Sequence, residues 1–141
     1  MAVQYITVNF LAILIATVVA MVIGMSWYSS FLFGNAWMRL SGIDPKKIDK
    51  SKMKGMWKIM IVAFISNLIM AFVLSTFIKL SQTTSATDAT QLGFWIWLGF
   101  MMPLQLGMVL WENKPFKLFL INTSHYLVTL IVMSLILVLW P

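Results

Sequence analysis

The chain has 141 residues, of which 61% are apolar and only 10% charged, and its mean hydropathy is +0.92. A soluble domain of this size needs about a quarter of its residues charged to wet its surface, so the composition places the chain in a membrane. The formal charge of +6 does not indicate nucleic-acid binding, because seven of the ten Lys and Arg are confined between Arg39 and Lys58, flanked by apolar runs. The absence of cysteine excludes disulfides, thiolate metal sites and thiol nucleophiles.

A helix needs about 20 apolar residues to cross the ~30 Å hydrocarbon layer. Four stretches meet that length, at about 7–29, 57–77, 92–111 and 117–140, and predict an all-α, polytopic single domain: four transmembrane helices in an antiparallel bundle. The stretches show no apolar–polar alternation and are twice the length a barrel strand requires, which argues against a β-barrel. The first stretch has no Lys or Arg ahead of it and exceeds the apolar run of a signal peptide, so it reads as a retained span.

The first span carries Ala12, Ala16, Ala20 and Gly24 at four-residue intervals, a stripe that Tyr28 continues. The loop over 30–56 begins with Phe31, Phe33, Trp37 and Met38, residues suited to the membrane interface. Asp44-Pro45 then reads as the cap and first residue of a short helix that Gly55 would end. The lysines that follow form a basic segment, 46–58, able to attract anionic lipid or to fix topology and nothing more. The second span repeats the small-residue spacing with Ala63, Asn67, Ala71 and Ser75, so the first two spans are expected to pack together. In the outer loop, 81–91, Asp88 and Gln91 fit a capping box opening the third span. Gly99, Pro103 and Gly107 share a face in that span, and the proline predicts a kink. The five residues from Glu112 to Phe116 predict a tight hairpin to the fourth span. Asn122-Thr123-Ser124 matches a glycosylation pattern but falls inside a span.

Basic residues set orientation. With the N-terminus outside, nine of the ten fall in cytoplasmic loops and only Lys79 lies on the other side, a bias too strong for dual topology. The expectation is a multi-pass protein of the cell (inner) membrane with both termini non-cytoplasmic. Trp27, Tyr28, Trp37, Trp57, Trp111 and Trp140, with Trp95 and Trp97, fall where aromatic belts belong.

Asn67 lies nine residues from Lys58, His125 eight from Lys117, and Gln105 seven from Glu112. At 1.5 Å per residue these side chains lie about 10–14 Å inside the membrane boundary. Asn67, Gln105, Asn122 and His125 are therefore the candidate polar layer. Three readings are open: interhelical glue, a water-lined site or proton-responsive gate, or a ligand for a pigment, haem or metal. The last is handicapped because a single His needs a second ligand from elsewhere, and no cofactor or metal is expected.

Two segments carry a resemblance. Trp27-Tyr28-Ser29-Ser30-Phe31-Leu32-Phe33-Gly34-Asn35-Ala36-Trp37-Met38 resembles the WYSPxLFGxxW signature of a bacterial four-helix membrane family, domain of unknown function 1761. The segment from Trp111 to Asn122 resembles its second signature, an acidic residue before a short turn and then LFLIN. Ser30 stands where that family usually has proline. The matching positions are Trp27, Tyr28, Ser29, Phe33, Gly34, Trp37, Glu112 and Asn122. The resemblance implies the fold and no activity.

Three functions compete: a scaffold or accessory subunit working through helix and lipid contacts, as a homo-oligomer or within a complex; an oligomeric channel or transporter lined by the polar layer; and an enzyme. Glu112, Lys114 and Arg39 are the charged groups an interfacial active site would use, but a salt bridge explains them equally well, so no enzyme is expected. No nucleic acid is expected as a partner.

Overall fold

In the computed structural model, which describes residues 8–44 and 54–140, every regular element is a helix. They are α1 (Phe10–Trp27), α2 (Gly34–Leu40), α3 (Met56–Leu80), α4 (Ala86–Ile96), α5 (Met102–Leu110) and α6 (Phe116–Leu139), with a π-turn, Trp97–Met101, joining α4 to α5. Four helices of 18 to 25 residues have the length and apolarity of membrane spans: α1, α3, the continuous Ala86–Leu110, and α6. At 1.5 Å per residue they are about 27–37 Å long, matched to the hydrocarbon layer. Most of the short helix expected from Asp44-Pro45 lies outside the described residues.

Local chemistry sets the ends. Asn9 caps α1, its side-chain oxygen accepting from the Ala12 N–H at 3.2 Å. α2 stops at Gly42, whose φ of +77° lets the Ile43 N–H reach back to the Met38 carbonyl at 2.8 Å. Gly55, expected to end a helix, lies in a turn between helical Lys54 and the first residue of α3. Ser85, not Asp88, opens the third span: its hydroxyl accepts from the Asp88 N–H at 3.1 Å, so the helix starts six residues before the expected boundary. Asp88 still serves the helix, as the acidic residue of its first turn. Asn113, with φ of +55°, turns the chain between α5 and α6, and Pro115 sets the entry to α6.

Pro103 acts on the third span differently from a simple kink. Proline lacks the N–H that would bond the Gly99 carbonyl, and its ring crowds that carbonyl. The helix answers by widening: the Met102 N–H bonds to the Trp97 carbonyl, five residues back, and the strand of helix resumes as α5.

The fourth span is the hub, since α6 touches α1, α2, α3, α4, the π-turn and α5. The core joins Ile13, Ala16 and Ala20 of α1, Ala71, Leu74 and Ile78 of α3, and Leu130 and Met133 of α6. Gly24 and Ala63, at the other end of the same stripes, are only half-buried. Small residues let the backbones approach where no hydrophobic gain separates lipid from protein. A close backbone approach belongs to α4, where a Cβ on Gly93 would lie 3.0 Å from the Ile131 Cα and 3.1 Å from the Leu130 carbonyl oxygen. Ala89, one turn earlier, is fully buried. The face that seats the third span is thus Ala89 and Gly93. Gly99 has nothing within 4 Å of its Cβ position, and a Cβ on Gly107 would meet only Trp111.

Replacing Gly93 with Leu therefore forces α4 off α6 and lowers stability by about 1–3 kcal/mol, whereas Gly99→Ala leaves it within about 0.5 kcal/mol. Thermal unfolding of the detergent-solubilised variants reads the difference, and equal losses at both sites would contradict the packing described.

Candidate functional site

The segment that follows α1 folds back on itself. Trp27 accepts a backbone bond from Phe33 (3.0 Å), and Ser29 accepts from both Leu32 (3.1 Å) and Gly34 (2.8 Å). The Ser29 hydroxyl donates to the Ser26 carbonyl at 2.7 Å. Gly34 has no substitute here: a Cβ would lie 2.3 Å from the Tyr28 carbonyl oxygen and 2.6 Å from that of Ser29. The turn stacks the Phe33 ring on Trp27, centroids 4.9 Å apart, and brings Trp37 of α2 edge-on to Tyr28 at 5.6 Å.

Two polar atoms of this knot reach α6. The Trp27 indole N–H donates to the Ile121 carbonyl at 3.0 Å, and the Tyr28 hydroxyl donates to Asn122 Oδ1 at 2.6 Å. Amphipathic rings with one polar tip are suited to this duty, because a buried Trp or Tyr needs a partner for its N–H or O–H. Six of the motif positions, Trp27, Tyr28, Ser29, Phe33, Gly34 and Trp37, thus form one unit that docks on a seventh, Asn122. Glu112 stands apart, exposed in the turn before α6.

His125 lies less than one turn beyond Asn122, and its ring is enclosed by aromatic neighbours. Centroid distances are 4.9 Å to Tyr126, 5.3 Å to Tyr28 and 6.1 Å to Trp27. On the remaining side a Cβ at Gly24 would come 3.5 Å from Nε2, so the last small residue of the α1 stripe makes room for the imidazole. Both imidazole nitrogens are shielded from solvent without a protein hydrogen bond. The Thr129 hydroxyl donates to the His125 backbone carbonyl at 2.8 Å, which secures the helix and leaves the ring itself untouched.

The other two candidates sit elsewhere. Asn67 Nδ2 donates within its own helix to the Ala63 carbonyl at 3.0 Å and faces Met21 Sδ of α1 at 3.3 Å. It belongs to the α1–α3 seam. Gln105, on α5, has its Oε1 shielded and without a protein donor. Asn122 Nδ2 faces Met108 of α5 at 4.0 Å, a weak acceptor at long range, so its donor capacity is largely unspent.

Trp97 was legible only as a member of the outer aromatic belt. The helix begins at Ala86, which places Trp97 near the middle of the span, and its indole N–H donates to the Thr123 carbonyl (2.8 Å) and hydroxyl (3.1 Å). A Trp at mid-membrane depth must find an acceptor, and that was the available signal. Trp95, two residues earlier in the same span, is exposed.

The arrangement offers donors and acceptors at three consecutive levels of α6 (Ile121–Asn122, Thr123 and His125), each addressed from α1 or the third span. Among the described residues no three His, Asp or Glu side chains gather to hold a metal.

The family model described as Protein of unknown function (DUF1761) matches residues 11–138. No curated protein and no solved structure matches the chain.

If the Tyr28–Asn122 bond fastens α1 to α6, a double-mutant cycle with Tyr28→Phe and Asn122→Ala gives a coupling of about 0.6 kcal/mol, the average between membrane helices, and at most about 1.7 kcal/mol. Additive effects of the two substitutions on unfolding would dissolve the pairing.

Proposed function

The chain belongs to the DUF1761 family, and from that premise we propose that it is a non-enzymatic membrane scaffold or accessory subunit acting through helix–helix and lipid contacts. It works as a homo-oligomer or within a larger complex of the cell (inner) membrane. The observation that carries this reading is where the polar groups go. The side chains of Trp27, Tyr28 and Trp97 each donate across a helix–helix interface, and Asn67 is engaged with α3 itself and α1. Polar groups used in this way hold helices together.

The third span gives the oligomer reading its support. Only 6% of its most apolar stretch is buried within the protein, against 28% for the first and fourth spans. Leu104 and Phe100 are 80% and 69% exposed, and the space over Gly99 is open. Away from its Ala89–Gly93 seat the span presents an apolar outer face with a bare small-residue position, which suits a neighbour's helix.

A second reading, an oligomeric channel or transporter for a small solute or ion, rests on His125 and Gln105. Their shielded polar atoms have no protein partner, and in hydrocarbon such groups are costly unless something answers them. Enclosure of both by several protomers would supply a polar path.

Native mass spectrometry after gentle extraction separates these readings. A stoichiometric foreign subunit, or a homo-oligomer that passes no solute or ion in liposomes, supports the scaffold. A homo-oligomer whose flux changes with His125→Ala establishes the channel instead. A lone monomer overturns both. Orientation has its own test, because the chain contains no cysteine. With both termini non-cytoplasmic, Thr84→Cys is labelled by a membrane-impermeant maleimide in intact cells and Asn113→Cys only after permeabilisation; the reverse pattern inverts the topology.

A further inference from the structure

Beside the seams that bind the helices together, α3 carries a shallow groove of about 440 Å³ at the end nearest the lysine-rich loop. Among the described residues it is lined by Lys58, Ile59, Val62, Ala63 and Ser66. Its make-up changes along its length. Ile59 and Val62 form apolar, exposed flanks, Ala63 and Ser66 are too small to fill the space between them, and the only charge is Lys58 at the mouth.

We propose that this groove holds one anionic phospholipid, an acyl chain lying over Ile59, Val62, Ala63 and Ser66 and the phosphate resting on the Lys58 ammonium. The inference extends the lipid half of the function proposed above and rests on that reading, but it does not require an oligomer.

Length, charge and the alternative occupant carry it. From Lys58 to Ser66 the helix rises eight residues, about 12 Å, close to the ~15 Å depth of one leaflet of the hydrocarbon layer. The lining therefore reaches from headgroup level to near the bilayer midplane, as an acyl chain does. At the mouth, among the described residues, α3 has no acidic residue in its first turn and no side-chain cap on Gly55, so the positive end of the helix dipole adds to Lys58. Lys54 is exposed one turn earlier, and Lys46, Lys47, Lys50 and Lys52 precede it in sequence. Lys58 Nζ stands 5.4 Å from the centre of the Trp57 ring, which keeps the ammonium at the level where headgroups lie. A helix from a second copy fits less well, because it would cover Lys58 while presenting apolar side chains to a charge that needs an anion. A phospholipid answers the apolar floor and the ammonium at once, and an anionic headgroup is selected by charge.

The test places the protein in nanodiscs of one part phosphatidylglycerol to three parts phosphatidylcholine and releases it for native mass spectrometry with lipid adducts resolved. The parent is expected to keep one phosphatidylglycerol per protomer. Lys58→Gln should lower that occupancy at least fivefold, and Ser66→Phe, which fills the floor from an exposed position, should lower it for both lipids. Lys114→Gln, a basic residue away from the groove, should leave it unchanged. Retention of both lipids in their bulk ratio, or an unaltered adduct in Lys58→Gln and Ser66→Phe variants that remain folded, would overturn the site. The same spectra report subunit number, so a monomer with its lipid refutes the oligomer alone, and a lipid-free oligomer refutes the groove alone.

Discussion

A membrane interior supplies no water to a stray N–H, and the chain meets that constraint at the end of α1 with two bonds, Trp27 to the Ile121 carbonyl and Tyr28 to Asn122. Much of the adjoining structure depends on this pair. They fix the rotation of α1 about its axis, which turns Gly24 toward His125 and sends Ala16 and Ala20 into the core with Leu130 and Met133. They also set the starting point of the fold-back that carries α2 onto α6. Because the bonds replace contacts that water would otherwise make, losing one leaves a shielded donor or acceptor, and the effect exceeds the modest strength of the bond itself.

The family signature finds its physical meaning here. Each of its residues in the first segment has a geometric duty: the indole and the phenol reach across, the serine backbone accepts the turn, and the glycine permits two carbonyls to lie where a side chain would be. The segment describes a joint between helices. It specifies how the helices are assembled.

The four spans were legible because apolar length is the strongest signal a membrane sequence carries, and the structure has four helices of that kind. What periodicity could not convey was partnership. Asn122 and His125 share a face by spacing alone, yet nothing in the spacing names Tyr28 as the residue that meets Asn122 from 94 positions away. Depth alone was a weaker guide. Asn67 stands about as far from the membrane boundary, but it looks onto a different seam. The third span shows the same limit. Gly99, Pro103 and Gly107 form the more conspicuous small face, while the contact with α6 is made by Ala89 and Gly93, in a turn that the expected boundary at residue 92 had partly assigned to the loop. Ser85 was one polar residue among several in a Ser/Thr-rich stretch, so the cap that lengthens the helix was not distinguishable from its neighbours.

The π-turn at Trp97–Met101 accommodates one residue more than an α-helix would place there. Each residue of an α-helix advances the chain by about 100°, so this one surplus position decides the azimuth of everything beyond it, Gln105 and Trp111 included. Drawing it back into regular helix would swing the far half of the span through roughly a quarter-turn while the near half stayed seated on Gly93. The third span is therefore two segments with separate bearings, coupled at a swivel.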